Sequence, residues 1–131
     1  MEMRIDFPGG DRVDAHLNPL TISTDQVRPL KEGDTPAPFD LFLASIGTCA
    51  GIYVLRFCRG RNIPTDDVRI VQRVKRNGSN GMIGKIELEI QVPPEFPEKY
   101  YDALVRSANQ CAVKKHIEAP PEFETYTKVV G

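Results

Sequence analysis

The chain has no tryptophan, only three cysteines and two histidines, and no excess of charge of either sign. With 17 Lys+Arg against 18 Asp+Glu, the formal net charge is −1 at pH 7. Such a balance creates no field that would gather phosphate backbones or anionic lipid, so neither nucleic acid nor membrane is an expected partner. The start, Met1-Glu2-Met3-Arg4, is charged and lacks the apolar run of a secretory signal, and no segment reads as a membrane span. A soluble, cytoplasmic protein is expected. The cysteines at 49, 58 and 111 are odd in number and contain no CxxC, which argues against a secreted disulfide framework and against zinc. His16 and His116 are too few and wrongly spaced for a metal or Cys-His site, so no metal and no cofactor are expected. What remains for three cysteines in a reducing compartment is burial as small hydrophobes or reactivity as thiols.

At 131 residues the chain is long enough to bury a core without staples, and one domain over 1–131 is the working assumption. Met3, Ile5 and Phe7, a turn at Pro8-Gly9-Gly10-Asp11, then Val13, Ala15 and Leu17 read as a hairpin. A break at Asn18-Pro19 leads into Leu20 to Thr24 as a third strand, and Gln26 to Pro38 is a polar, proline-rich loop. Asp34 and Thr35 are candidate caps for a helix whose first position is Pro36 or, starting later, Pro38.

From Asp40 to Arg59 the pattern is helical, with no charged residue between Asp40 and Arg56. A helix that is apolar all round must be covered on every side. Arg56 and Arg59 suit its carboxyl end, and Gly60 can terminate it. Gly47 and Gly51 in its interior, each about 1 kcal/mol worse than Ala, suggest close approach of another backbone. So short a chain has little material to surround this helix, and a homodimer with both central helices in one core is predicted.

Val68 to Arg76 and Ile83 to Val92 form a strand pair around Asn77-Gly78-Ser79-Asn80-Gly81. Pro97 opens a second helix whose inner face is Tyr101, Leu104, Val105, Ala108 and then Cys111 or Ala112. A helical turn through Val113 to Ile117 and a closing strand from Phe123 to Val130 complete an α+β pattern.

The three thiols differ by position. At about 100° per residue, Cys58 lies on the opposite helix face from Cys49 and reads as packing. Cys49 is surrounded by small and apolar residues, too far from the amino end of its own helix to benefit from the dipole, and burial alone would raise its pKa. Reactivity there would need an external cation, of which an arginine is the natural form. Cys111, if it starts a short helix, has free backbone N–H groups and the nearby Lys114 and Lys115 to favour its thiolate.

The run Thr35-Pro36-Ala37-Pro38-Phe39-Asp40-Leu41-Phe42-Leu43-Ala44-Ser45-Ile46-Gly47-Thr48-Cys49 resembles the Pro-x-Glu/Asp-Leu-Leu-x-Ala-x-x-x-x-Cys signature of the OsmC/Ohr family, in particular its OsmC-like branch. Ala108-Asn109-Gln110-Cys111-Ala112-Val113 is similar to the family's second cysteine segment, at the right distance along the chain. The resemblance implies antiparallel sheets around a long buried central helix and an intertwined homodimer with active sites at the subunit interface. It also implies a hydroperoxide substrate, a peroxidatic Cys49 passing through a sulfenic acid, a resolving Cys111, and a dithiol as reductant. The family's activating arginine matches Arg28 best, with Arg12 as second choice, and its acid matches Asp40, with Phe39 standing where the organic hydroperoxide branch carries Glu. Ala112 stands where a Pro often follows the second cysteine. The competing reading is a dimeric module binding a small ligand, its cysteines serving only as packing.

Overall fold

Period-two alternation at the start of the chain builds three antiparallel strands, β1 (Arg4–Gly9), β2 (Arg12–Leu17) and β3 (Leu20–Thr24), in the order β1-β2-β3. The structure is a computed structural model and describes residues 1–131. Ile5 lies opposite Ala15 and Asp6 opposite Asp14, while Ala15 faces Ile22 and His16 faces Thr21. Because side chains alternate between faces, Ile5, Ala15 and Ile22 share one side of the sheet, and Asp6, Asp14, His16 and Thr21 share the other.

This sheet belongs to the first of two compact units, Met1–Ser45; the second is Ile46–Gly131. After β3 the chain is tied by Asp25 N–H to Pro36 O at 3.1 Å. Asp34, a candidate helix cap, instead closes a local turn by accepting from Lys31 N–H at 2.9 Å. Of the two proline starts, Pro38 is the one realised: helix α1 runs Pro38–Arg59. Its amino end is capped from inside, Asp40 Oδ2 accepting the N–H of Ala37 at 2.9 Å, which is one half of a capping box.

In the second unit, α1 buries Ile46, Ala50, Val54, Phe57 and Cys58, a stripe at helical spacing. Its other sides are not covered within one chain: Ile52 is exposed, and in the first unit Phe39 and Phe42 are as well. By length and composition α1 is also apolar enough to cross a membrane, with mean hydropathy 1.7, which the sequence reading did not anticipate. Within one chain the interior glycines face side chains. A Cβ on Gly47 would come within 2.6 Å of Gln72 Oε1, and one on Gly51 would touch Ile70 Cδ1 at 4.0 Å. Both partners sit on β4 (Arg69–Arg76), which pairs antiparallel with β5 (Ile83–Gln91). Ile70 opposes Ile90 and Val74 opposes Ile86, so the apolar set shares one face of the pair. On the other face Arg73 bridges Glu89 at 2.9 Å and Glu87 at 3.5 Å.

A single 3₁₀ turn, Glu98–Tyr100, leads into α2 (Tyr101–Ala108), followed by α3 (Ala112–Glu118). The inner face of α2 is narrower than its sequence suggests: Leu104 and Ala108 are buried, while Tyr101 and Val105 are exposed. The closing strand expected over Phe123 to Val130 is absent. Residues 120–131 have no regular structure, and Phe123, Tyr126, Val129 and Val130 stay exposed. A strand exists only against another strand's free edge, and apolar alternation without that partner yields extended, unpaired chain.

Candidate functional site

The site grows from the junction between α2 and α3. The last turn of α2 closes through Gln110 N–H to Ser107 O at 3.1 Å and Cys111 N–H to Ala108 O at 3.3 Å, with Ala108 buried in the core. Cys111 is then the N-cap of α3, its sulfur accepting the N–H of Lys114 at 3.3 Å in the place of the usual hydroxyl or carboxylate. Only 1% of the residue is exposed. Its Sγ also lies 3.9 Å from Ile46 O on α1, a long contact for a weak donor.

Cys49 meets this junction from α1, half-buried and packed against the core cluster that contains Ala50, Ala108 and Cys111. The neighbouring Val113 N–H, then the Cys111 thiol and the Ala112 N–H, hold its pKa below the ordinary thiol value, outweighing the partial burial that would raise it. Cys111 moves the other way. Burial raises it most, the adjacent Cys49 adds to that by hydrogen bond and charge, and the N–H groups of Lys114 and Val113 only partly offset the rise. The pair is therefore asymmetric, with Cys49 the easier sulfur to ionise and Cys111 the proton-bearing neighbour. Cys58 is fully buried and burial pushes its thiol up, as expected of a packing residue.

Two expectations change here. The sequence reading looked for a cation beside Cys49, whereas the groups lowering its pKa are uncharged N–H and S–H donors. It also counted on the lysine charges for Cys111. Lys114 acts through its backbone N–H, its ammonium being bonded to Asn109 Oδ1 at 2.9 Å, and Lys115 is exposed. The contribution of Ala112 and Val113 to Cys49 was missed because backbone donors have no sequence signature. The available hint was a cysteine standing where an N-cap belongs.

Ile46 and Lys114, whose backbone atoms flank the Cys111 sulfur, also line a cleft of about 400 Å³ with Ile86, Leu88, Asn109 and Ile117. Its walls are mostly apolar with a few polar groups, the usual make-up of a small-molecule site.

The remaining candidates lie in the first unit. Arg28 Nη2 donates to both oxygens of Asp40 at 2.8 Å, and its Nη1 donates to Val27 O at 3.0 Å. The Arg28 fork, followed by the Ala37 N–H, holds the Asp40 carboxyl below its ordinary value. Asp40 thus both caps α1 and fixes Arg28. Arg12 sits exposed at the start of β2.

The family model described as OsmC-like protein matches residues 31–126, a span that includes both cysteines, Asp40 and α1. No curated protein matches the chain. Among solved structures, an OsmC-like protein from Mycoplasma pneumoniae superposes with TM-score 0.68 at 11% identity, covering 91% of this chain and 87% of that one. A hypothetical protein from Aquifex aeolicus gives TM-score 0.68 at 19% identity, with the same 91% and 87% coverage. The organic hydroperoxide resistance protein of Bacillus subtilis gives TM-score 0.52 at 20% identity over 88% of this chain and 90% of that one. These likenesses support the α+β architecture of small antiparallel sheets with a long central helix.

Proposed function

Because the chain belongs to the OsmC-like protein family, we propose that it is a thiol-dependent peroxidase reducing organic hydroperoxides, with Cys49 as nucleophile and Cys111 as resolving thiol. The observation that carries this reading is that Cys49 on α1 packs against the cluster holding Cys111 at the start of α3, the first thiol with its pKa lowered and the second with its pKa raised. The Cys49 thiolate attacks the outer peroxide oxygen; the S–O bond forms as the O–O bond breaks, and the alkoxide leaves with a proton as the alcohol. Sulfur has lost two electrons and the peroxide has gained them. Cys111 then attacks the Cys49 sulfenic acid, releasing water and leaving a Cys49–Cys111 disulfide, which a small dithiol reduces.

The opposed pKa shifts give this sequence its order. While Cys49 is anionic, its charge and hydrogen bond keep the proton on Cys111. Oxidation of Cys49 removes the negative charge, whereas the Lys114 and Val113 N–H groups that favour a Cys111 thiolate remain. The resolving thiol is thus released to react only after the first step. The apolar cleft, which neither cysteine lines but whose Ile46 and Lys114 flank the Cys111 sulfur, suits a peroxide with an organic group, in keeping with the name of the Bacillus subtilis structure.

Arg28 supplies the peroxide-binding cation in this reading, and Asp40 is its positioning residue. Losing one preorganised donor of this kind costs roughly 10²–10³ in rate. Arg28→Met is accordingly expected to lower kcat/KM for a hydroperoxide by about that factor, and Arg28→Lys, which keeps charge but loses the fork, to recover only part of it.

The working form in this proposal is a homodimer, supported by the apolar surface that one chain leaves open at Phe42, Ile52, Phe123, Tyr126, Val129 and Val130. Sedimentation equilibrium should return twice the chain mass of 14.7 kDa.

The direct test of the thiol site is alkylation as a function of pH. A lowered pKa means that thiolate persists as the pH falls, so Cys49 should react with iodoacetamide well below the ordinary thiol midpoint of about 8.5. Cys58 and Cys111, both raised, should react only at higher pH. If peptide mapping shows all three cysteines following one ordinary thiol profile, the peroxidase reading fails.

A further inference from the structure

On the polar face of the three-stranded sheet, away from any thiol in the sequence, three metal-ligating side chains converge. We propose that Asp6, Asp14 and His16 form a site for an exchangeable first-row divalent cation, Zn²⁺ being the best fit to one imidazole and two carboxylates. The proposal is independent of the peroxidase reading.

Register brings the three together. Asp6 lies directly opposite Asp14 across β1 and β2, and His16 is two residues along β2 on the same face. One donor atom from each residue falls within 4.8 Å of the other two. Two carboxylates facing each other across a strand pair repel, and such an arrangement calls for a cation between them. The sequence reading found no metal spacing because these ligands are neighbours across strands, not along the chain.

Two further observations point to a ligand. Asp14 Oδ1 is buried with no hydrogen-bond partner, and a buried carboxylate oxygen left in that state costs free energy unless a cation or proton supplies the missing contact. The second concerns the imidazole. His16 Nδ1 lies 3.0 Å from Thr21 Oγ1 and Nε2 lies 2.9 Å from Asp6 Oδ1. With Nδ1–H donating to Thr21, one of the two tautomers these distances allow, the Nε2 lone pair faces the carboxylates and can take a cation. Fixing the metal-binding tautomer through a hydrogen bond from the other ring nitrogen is the usual device of histidine metal ligands. Small side-chain rotations would bring the three donors to the roughly 2.0–2.2 Å that Zn²⁺ requires.

The site is reached from solvent, Asp6 having 48% and His16 26% of its side chain exposed. Three protein ligands leave at least one position for water, so binding should be reversible. Arg4 Nε, 4.0 Å from Asp6 Oδ2, competes weakly for the same carboxylate. A bound ion would clamp β1 to β2 at a point where the sheet otherwise places like charges together.

The experiment is calorimetric titration with Zn²⁺ alone of the full chain carrying Cys49→Ser and Cys111→Ser, the remaining Cys58 being fully buried, so that no sulfur can bind. One ion per chain is expected. Asp14→Asn, which keeps the shape of the side chain, and His16→Ala should each weaken binding at least tenfold, while His116→Ala should leave it unchanged. In parallel, imidazole ¹⁵N resonances of His16 should move on adding Zn²⁺ and those of His116 should not. No binding by this parent chain overturns the proposal. Equal binding by the parent chain, Asp14→Asn and His16→Ala, or a shift confined to His116, also overturns it.

Discussion

Replacing Cys49 by Ser should reduce hydroperoxide turnover to the uncatalysed background, while Cys111→Ser should consume one rapid equivalent of peroxide per chain and then stop. The two outcomes separate the steps. A serine hydroxyl is far too weakly acidic to ionise in the site that lowers Cys49, and oxygen does not accept an oxygen atom as sulfur does, so the first step has no substitute. Cys111→Ser is a gentle change by comparison. Serine is a better N-cap than cysteine and can still accept from the Lys114 N–H and donate towards Cys49. Its fold and its first step should therefore survive, and only the disulfide is lost. Peroxide loss followed in stopped flow, with intact mass recording one added oxygen in Cys111→Ser and two lost hydrogens in wild type, reads both steps. Steady turnover by Cys49→Ser would assign the chemistry to some other group, and steady turnover by Cys111→Ser with the same dithiol would leave Cys111 without its resolving role.

Much of this architecture was legible from residue order. Alternation in Ile86, Leu88 and Ile90 against Lys85, Glu87 and Glu89 located β5 almost to its ends, because a strand with one covered face writes its period into the chain. The uninterrupted apolar run after Asp40 located α1 in the same way. What failed were features that depend on a partner. Phe123 to Val130 alternates like a strand, but pairing is a property of two edges, and this segment pairs with none of the open edges of the two sheets. Of the two glycines of α1, Gly47 marks a close approach within the chain, its missing Cβ admitting the end of Gln72, whereas Gly51 has only Ile70 at contact distance.

The thiol pair was partly readable for a related reason. That Cys49 and Cys111 are chemically set apart from Cys58 follows from helix phase and from family motifs in the sequence. The source of the Cys49 shift does not, since every residue carries an N–H and only the start of α3 leaves those of Ala112 and Val113 free to point at sulfur. In the first unit Asp40 was weighed as a catalytic acid, and its geometry shows a carboxylate divided between the Ala37 N–H and the Arg28 fork.

Leu104→Ala should be the most damaging substitution for stability, lowering the free energy of unfolding by about 2–5 kcal/mol, the range for truncating a buried leucine. Leu104 is 2% exposed and belongs to the cluster of Ala50, Val54, Phe57, Ala108 and Cys111, through which α2 is held against α1. Much of that cluster is already small, Ala50 and Ala108 among them, so neighbouring side chains have little volume with which to refill the cavity, and the cost should fall in the upper part of the range. The effect should extend to the site, because the same packing sets where α2 ends and hence where Cys111 meets Cys49. Urea denaturation of the variant should show a lower midpoint with an unchanged slope, the sign of lost stability rather than altered compactness. In the folded variant, alkylation of Cys49 at neutral pH should slow as its contact with the α3 N–H groups loosens. Val105→Ala, one position along on the exposed side of α2, is the control and should change neither quantity. A midpoint for Leu104→Ala within error of the wild type would mean that the core does not hold α2 in place, and the placement of the two sulfurs would need another cause.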